Sequence, residues 1–217
     1  MKIIPTIFAH NKREFDLRFK KLIRLGRDLQ IDFMDGRFVK SHGIKINDIP
    51  NLSKYKRKFE AHLMVKNPGR YILPLRKKGF NKIIFHYEAL KNNVEISELI
   101  KRIKDAGMEA WIAINPQTQI NDILVFLNQI DGVLLMGVYP GKEHQEFIPS
   151  IYNKIKILRN IDKKIKIQVD GGVNLINIGK LRGLGVNYVN SGSFISDAEE
   201  PKKVLKELGE QELTIDI

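Results

Sequence analysis

The architecture of this chain follows most directly from the segment Leu29-Gln30-Ile31-Asp32-Phe33-Met34-Asp35-Gly36. Its apolar residues predict a short strand with Asp32 at its end, and Asp35 and Gly36 suit a tight exit turn. A second stretch, Lys166-Ile167-Gln168-Val169-Asp170-Gly171-Gly172, also predicts a strand that ends in an aspartate followed by glycines. Asp32 and Asp170 are far apart in sequence, so they can meet over one substrate only if both strands belong to one closed parallel sheet.

Strand and helix patterns alternate along the whole chain, which favours parallel β/α units. We predict eight strands, at residues 2–8, 29–34, 59–65, 82–86, 110–114, 132–138, 165–169 and 186–190. Helices are predicted between them, including one at 68–78 that Pro74 should kink. The pattern predicts an α/β fold, a (β/α)8 TIM barrel forming a single domain over residues 1–217, with a loose tail at 209–217. A doubly wound open sheet is the alternative.

Length and composition limit the classes of protein to which this chain can belong. The chain has 217 residues, of which 43% are hydrophobic, enough for one well-buried core and rather few for two. It has no cysteine, which excludes disulfides and thiolate metal sites. The N-terminus lacks a signal-peptide core and no apolar run is long enough to span a bilayer, so we expect a cytoplasmic protein without a membrane partner.

The net charge of +12 could indicate a polyanionic partner. The lysines are, however, spread over most predicted helices and do not form one face interleaved with aromatic residues. We therefore expect no nucleic-acid partner and interpret the lysines as a solvated surface. A basic field also favours encounter with a phosphorylated substrate.

Polar side chains gather where predicted strands end. In a barrel, the carboxyl ends of the strands face one mouth, and we place Asp32, His62, His86, Asn115 and Asp170 there. His62 stands out because it lies in an apolar run, where an imidazole must be hydrogen-bonded or used.

Glycines follow the last two predicted strands. Gly171 and Gly172 come after the seventh strand, and Gly192 and Ser193 after the eighth. Glycines there let backbone N–H groups approach an anion, and barrels commonly hold a phosphate between these two loops. Each turn alone could be simply a tight turn, but two at adjacent strands indicate a phosphate site.

The order of these motifs resembles the ribulose-phosphate 3-epimerase family. The resemblance rests on Asp32-Phe33-Met34-Asp35-Gly36, His62-Leu63-Met64, Pro140-Gly141, Phe147-Ile148-Pro149-Ser150, Val169-Asp170-Gly171-Gly172 and Gly192-Ser193. The opening Pro5-Thr6-Ile7-Phe8 is similar to the Pro-Ser-Ile-Leu start of that family, and the match runs from about residue 5 to residue 195.

The resemblance implies a barrel of the ribulose-phosphate-binding type that interconverts ribulose 5-phosphate and xylulose 5-phosphate in the pentose phosphate pathway. It gives Asp32 and Asp170 the catalytic roles, as the base on one face of the sugar and the acid on the other. It implies a divalent metal, Zn, Fe or Mn, held by Asp32, His62 and Asp170. The implied substrate-binding residues are Thr6, Met34, His62, Met64, Met136, Gly141, Gly171, Gly172, Gly192 and Ser193. Relatives often form homo-oligomers, but the sequence does not fix the oligomeric state.

Two departures from the family pattern surround the predicted site. Gln30 stands where the family has its first metal-binding histidine, and a neutral amide oxygen is a poorer ligand for Zn²⁺ or Fe²⁺ than imidazole. His10, after the first strand, is a candidate substitute ligand. The Gly-Phe-Gly-Gly phosphate loop of the family reads Gly141-Lys142-Glu143-His144 here, which removes two glycines and adds charge.

Three functions remain open on the sequence. The first is a 3-epimerase of ribulose 5-phosphate, since both aspartates and His62 are present. The second is a 3-epimerase of another ketose phosphate, because the changed loops would set the sugar. The third is a non-catalytic sugar-phosphate-binding barrel. A related decarboxylating lyase is disfavoured because Met34 occupies its lysine position.

Overall fold

A computed structural model, which describes residues 1–210, shows eight parallel strands closed into one barrel in sequence order. The first and last strands pair with each other, so the sheet has no edge and the doubly wound alternative is excluded. The predicted barrel is confirmed. The strands are β1 Lys2–Ile7, β2 Leu29–Met34, β3 Phe59–Met64, β4 Lys82–His86, β5 Glu109–Ile114, β6 Gly132–Met136, β7 Lys166–Asp170 and β8 Tyr188–Ser191.

Helices lie between most of the strands. The α-helices are α1 Lys12–Leu22, α2 Ile72–Lys78, α3 Asn93–Asp105, α4 Ile151–Ile161, α5 Ile178–Gly183, α6 Ser193–Ser196 and α7 Pro201–Glu210. The connection between β5 and β6 is a 3-10 helix, Ile120–Phe126. α7 includes residues 209 and 210 of the predicted loose tail, and the rest of that tail lies outside the described residues. No helix within residues 1–210 combines the length and apolar character needed to cross a membrane.

The segment at 68–78 differs from its prediction. A 3-10 turn, Pro68–Arg70, comes first, and α2 begins afresh at Ile72. Pro74 therefore falls in the first turn of α2, where its missing N–H leaves no hydrogen bond unmade.

The strands present apolar side chains outward, where they form the main core with the helices. The barrel interior is divided. One part is an apolar cluster of Ile84, Trp111, Ala113, Leu134, Met136 and Val138. The other part is polar, because side chains of strands that are not neighbours hydrogen-bond across the interior: Gln168 of β7 reaches Glu60 of β3. This polar part leads up to the mouth of the barrel.

Candidate active site

A cavity of about 350 Å³ opens at the carboxyl ends of the strands. Most of the predicted site residues line it: Thr6, Asp32, His62, Met64, Met136, Gly141, Asp170, Gly171, Gly172, Gly192 and Ser193. Met34 does not; it packs with Phe8 and Met64 beside the cavity. The parallel register sets Asp32 beside His62 and Asp170 beside Met136, which is why residues remote in sequence share one wall.

Asp32, His62 and Asp170 converge at the floor of this cavity. One ligand-type atom from each lies within 4.8 Å of the other two, and all three residues are buried. Nδ1 of His62 is 3.1 Å from Oδ1 of Asp32 and 3.4 Å from Oδ2 of Asp170. The two carboxylates therefore face one imidazole nitrogen in a shared cavity, as the sequence predicts.

Burial and mutual contact shift the protonation of this cluster. Burial raises the pKa of Asp32 to about 6, although the hydrogen bond from His62 opposes the shift. Burial lowers the pKa of His62, but hydrogen bonds to Asp170 and Asp32 outweigh it and raise that pKa to about 10. The two carboxylates therefore favour the protonated form of the His62 ring.

His86 lies behind His62 and fixes its ring. Nε2 of His62 is 2.9 Å from Nε2 of His86, and Nδ1 of His86 is 3.3 Å from Oε2 of Glu88. Burial lowers the pKa of His86, so its ring is neutral and donates its single N–H to the carboxylate of Glu88. Nε2 of His86 then accepts from His62, which leaves Nδ1 of His62 to face the aspartates.

Gln30 occupies the fourth position around the cluster. Its Nε2 donates to Oδ1 of Asp32 at 2.9 Å and to Oδ2 of Asp170 at 2.6 Å. Its carbonyl oxygen points away and accepts from Nδ2 of Asn190 at 2.9 Å. Asp32, His62 and Asp170 therefore offer ligand atoms of the right kind and spacing for a divalent cation, whereas Gln30 turns its N–H groups toward that place.

His10 does not substitute as a ligand in this structure. Among the described residues, the group of side chains that could hold a metal contains Asp32, His62 and Asp170 without it. His10 is exposed, and its Nδ1 lies 3.0 Å from the carbonyl oxygen of His42. His10 is therefore not part of the candidate ligand set in this structure.

Two glycine turns form another wall of the cavity. Gly171 and Gly172 have φ values of 97° and 69°, which L residues rarely adopt. A Cβ at Gly172 would also lie 2.8 Å from the backbone of Phe147. Gly192 and Ser193, at the end of β8, complete this wall. The turn at residues 171–172 therefore needs glycine, and both turns bring backbone N–H groups close to the cavity.

The segment after β6 carries charged side chains into the cavity. Glu143 lines it, and its carboxylate is held by Nη1 of Arg18 at 2.8 and 2.9 Å. Asp197 also lines the cavity and lies 3.4 Å from Nη2 of Arg18. The sequence did not predict the ion pair between Arg18 and Glu143, because these residues are 125 positions apart in the chain.

Other residues of the site also escaped sequence reasoning. The sequence placed the ends of β4 and β5 at the mouth of the barrel, but it did not predict the hydrogen bond between His86 and Glu88. An acidic residue two positions after a histidine at a strand end could have indicated this pair. Gln168 and Asn190 gave no signal, because an amide inside an apolar strand shows its partners only after the barrel closes.

Comparison with known proteins agrees with this geometry. Residues 2–196 match the ribulose-phosphate 3 epimerase family. The chain is 34% identical over 212 residues to ribulose-phosphate 3-epimerase, cytoplasmic isoform, of Oryza sativa subsp. japonica, covering 95% of this chain and 92% of the relative. It is 30% identical over 213 residues to ribulose-phosphate 3-epimerase of Escherichia coli K12, covering 95% and 93%.

Solved structures agree on the fold. A 3-hexulose-6-phosphate synthase superposes with a TM-score of 0.70 at 14% identity, covering 96% of this chain and 98% of the other. KGPDC from Streptococcus mutans in complex with D-R5P superposes with a TM-score of 0.74 at 13% identity, covering 96% and 95%. At such identities only the barrel architecture is shared. The match over residues 2–196, together with relatives at 30–34% identity, shows that this chain belongs to the ribulose-phosphate 3 epimerase family.

Proposed function

We propose that the chain interconverts D-ribulose 5-phosphate and D-xylulose 5-phosphate through an enediolate, with Asp32 and Asp170 as the proton-transferring groups. One observation carries the assignment of these residues: two strand-end carboxylates and one imidazole share the floor of one cavity, with ligand atoms within 4.8 Å. The names of the relatives support the reaction. A cytoplasmic location is supported by the name of the Oryza sativa relative, which is a cytoplasmic isoform.

The reaction needs one base and one acid. One aspartate, as the carboxylate, removes the proton from the carbon beside the ketone, and the electron pair moves to the carbonyl oxygen to give the enediolate. The other aspartate, as the acid, donates a proton to the opposite face of that carbon while the carbonyl re-forms. The pKa of Asp32, raised to about 6 by burial, makes both of its protonation states accessible near neutral pH.

The remaining residues bind and orient the substrate. A divalent cation held by Asp32, His62 and Asp170 would polarise the ketone and stabilise the developing negative charge on its oxygen. His86 holds the His62 ring so that Nδ1 faces the site. The glycine turns at residues 171–172 and 192–193 are the proposed phosphate cradle, because their backbone approaches the cavity closely.

Isotope exchange tests the paired roles. The protein is incubated in D2O with ribulose 5-phosphate and Zn²⁺, Mn²⁺ or Fe²⁺, and deuterium at the epimerised carbon is followed by NMR. We expect wild type to label that carbon while it interconverts the epimers. Asp32→Asn and Asp170→Asn should each lower interconversion by about 10²–10⁴-fold, since each removes one proton-transfer group. Each variant should still exchange the hydrogen of one epimer, a different one in each case.

Asp35→Asn is the matched control. Asp35 lies in the same stretch, but its carboxylate accepts backbone N–H groups of Arg37, Phe38 and Lys66 and does not line the cavity. This variant should keep interconversion. Retained sugar-phosphate binding with no interconversion under any metal would instead support a non-catalytic barrel, and turnover of only another ketose phosphate would change the substrate.

A further inference from the structure

A chain of buried polar side chains rises through the barrel interior to the catalytic carboxylates. It begins at Lys82, which is 6% exposed and lies with Nζ 3.4 Å from the centre of the Trp111 ring. Nζ of Lys82 donates to Oε1 of Gln168 and pairs with Oε2 of Glu60 at 2.9 Å. Nε2 of Gln168 donates to Oε1 of Glu60 and to Oδ1 of Asn190, each at 2.5 Å.

The chain continues from Asn190 to the active site. Nδ2 of Asn190 donates to Oε1 of Gln30 at 2.9 Å, and Nε2 of Gln30 donates to the carboxylates of Asp32 and Asp170. Gln30 and Asn190 are fully buried, so water cannot replace a lost partner. Three amides in series thus connect an ammonium group at one end with two carboxylates at the other.

Lys82 and Glu60 together give this chain its direction, because the Glu60 carboxylate accepts hydrogen bonds from both Gln168 and Asn190. An ammonium group only donates, so Gln168 must present its oxygen to Lys82 and its NH2 group to Asn190. Asn190 then presents its oxygen to Gln168 and its NH2 group to Gln30. If Gln30 turned its oxygen toward the active site, its NH2 group would face that of Asn190. Turning Asn190 and then Gln168 to avoid this clash would place the NH2 group of Gln168 against the ammonium group of Lys82.

We propose that Gln30 is a positioning residue that bridges Asp32 and Asp170 as a hydrogen-bond donor, and that the ion pair of Lys82 with Glu60 fixes this orientation through Gln168 and Asn190. Gln30 is then not a metal ligand. Its amide binds the same two oxygens, Oδ1 of Asp32 and Oδ2 of Asp170, that face Nδ1 of His62. The amide holds the carboxylates together without a cation and competes with any cation for their oxygens.

The inference rests on the proposed function only in that it concerns the same carboxylates, so its test uses no substrate. The dissociation constant of Mn²⁺ is measured calorimetrically with purified wild type and variants. Gln30→Glu removes the amide donors at nearly constant shape and supplies an oxygen ligand. We expect it to bind Mn²⁺ about tenfold or more tightly than wild type, a change typical of groups that tune a metal site.

The direction is tested from the far end of the chain. The double variant Lys82→Met with Glu60→Gln removes the donor-only group and keeps the net charge. Gln30 can then turn its oxygen to a cation without a clash of NH2 groups, so Mn²⁺ should again bind about tenfold more tightly. Leu134→Val, in the apolar part of the same interior, is the control for altered packing and should bind Mn²⁺ as wild type does.

Asn190→Asp provides a second route if the double variant does not fold. Its carboxylate accepts from Gln30 and forces the Gln30 oxygen toward the site, so Mn²⁺ should bind more tightly there too. Wild-type affinity in Gln30→Glu, or in the direction variant that folds, would overturn the proposal. If the wild-type protein shows no epimerase activity, the proposed function is overturned, but the Mn²⁺ affinities still test the role of Gln30.

Discussion

At the scale of single residues, His62 shows how the site is ordered. Its Nδ1 faces two carboxylates and its Nε2 contacts the neutral ring of His86. A buried imidazole with both nitrogens partnered has one orientation, so proton-transfer groups and ring are held in register before substrate arrives.

We predict that His86→Leu destabilises the protein by about 1–3 kcal/mol, because it leaves the buried Nε2–H of His62 without an acceptor. His86→Gln keeps an oxygen that can accept this hydrogen and should lose less. Urea denaturation at matched pH measures both free energies of unfolding. Equal losses in the two variants would show that the hydrogen bond between the histidines contributes nothing measurable.

The residues of the site were predictable to different degrees. Asp32 and Asp170 end strand-like runs before glycine turns, and His62 interrupts an apolar run, so each carries a local signal. The sequence also shows that Gln30 stands where the family has a histidine. The direction of its amide was not, because that depends on Asn190, which is 160 residues away and reaches it only in the closed barrel.

At the scale of elements, the segment between β6 and α4 is tied to three other parts of the fold. Nη1 of Arg18 on α1 holds the carboxylate of Glu143, and Oγ of Ser41 donates to the carbonyl of Gly141 at 2.7 Å. The backbone N–H of Gly137 donates to the carbonyl of Asp170. This segment therefore presents a fixed negative charge to the cavity near the glycine turns.

We predict that Glu143→Gln strengthens binding of phosphate groups by about two- to fivefold, since a partly exposed charge interaction is worth up to about 1 kcal/mol. The inhibition constant of inorganic phosphate and the KM for ribulose 5-phosphate should both fall. Glu146→Gln makes the same charge change in the same segment but outside the cavity lining, and should leave both unchanged. Weaker phosphate binding in Glu143→Gln would mean that Glu143 organises Arg18 for the anion instead.

All eight strands were predictable because apolar runs of four to six residues separated by polar helices have few other interpretations. Helix bounds were less accurate. Helix α4 begins at Ile151, because residues 148–150 lead into it through turn hydrogen bonds, and helix α5 begins at Ile178. Such starts depend on how each loop packs on the barrel, which local periodicity does not encode.

At the scale of the whole molecule, the barrel encloses an ion pair. Lys82 and Glu60 are buried, and their Nζ and Oε2 atoms are 2.9 Å apart. Burial lowers the pKa of Lys82, which means that the fold disfavours its charge, and Glu60 compensates for that cost.

We predict that Lys82→Met alone destabilises the protein by about 3–5 kcal/mol, because it leaves the negative charge of Glu60 buried without a positive charge beside it. The double variant Lys82→Met with Glu60→Gln should recover most of that loss. Chemical denaturation of the three proteins, with similar slopes, gives the comparison. A double variant as unstable as the single one would show that the pair is needed for stability as such.

The pairing of β1 with β8 has a consequence for how the protein is made. Asp32 and His62, on β2 and β3, are synthesised before Asp170 and Asn190, on β7 and β8. Until β8 pairs with β1, the sheet is an open ribbon with two unpaired edges, and no closed interior holds Asp32 and Asp170 against each other. We therefore expect catalytic activity to appear only when the barrel closes.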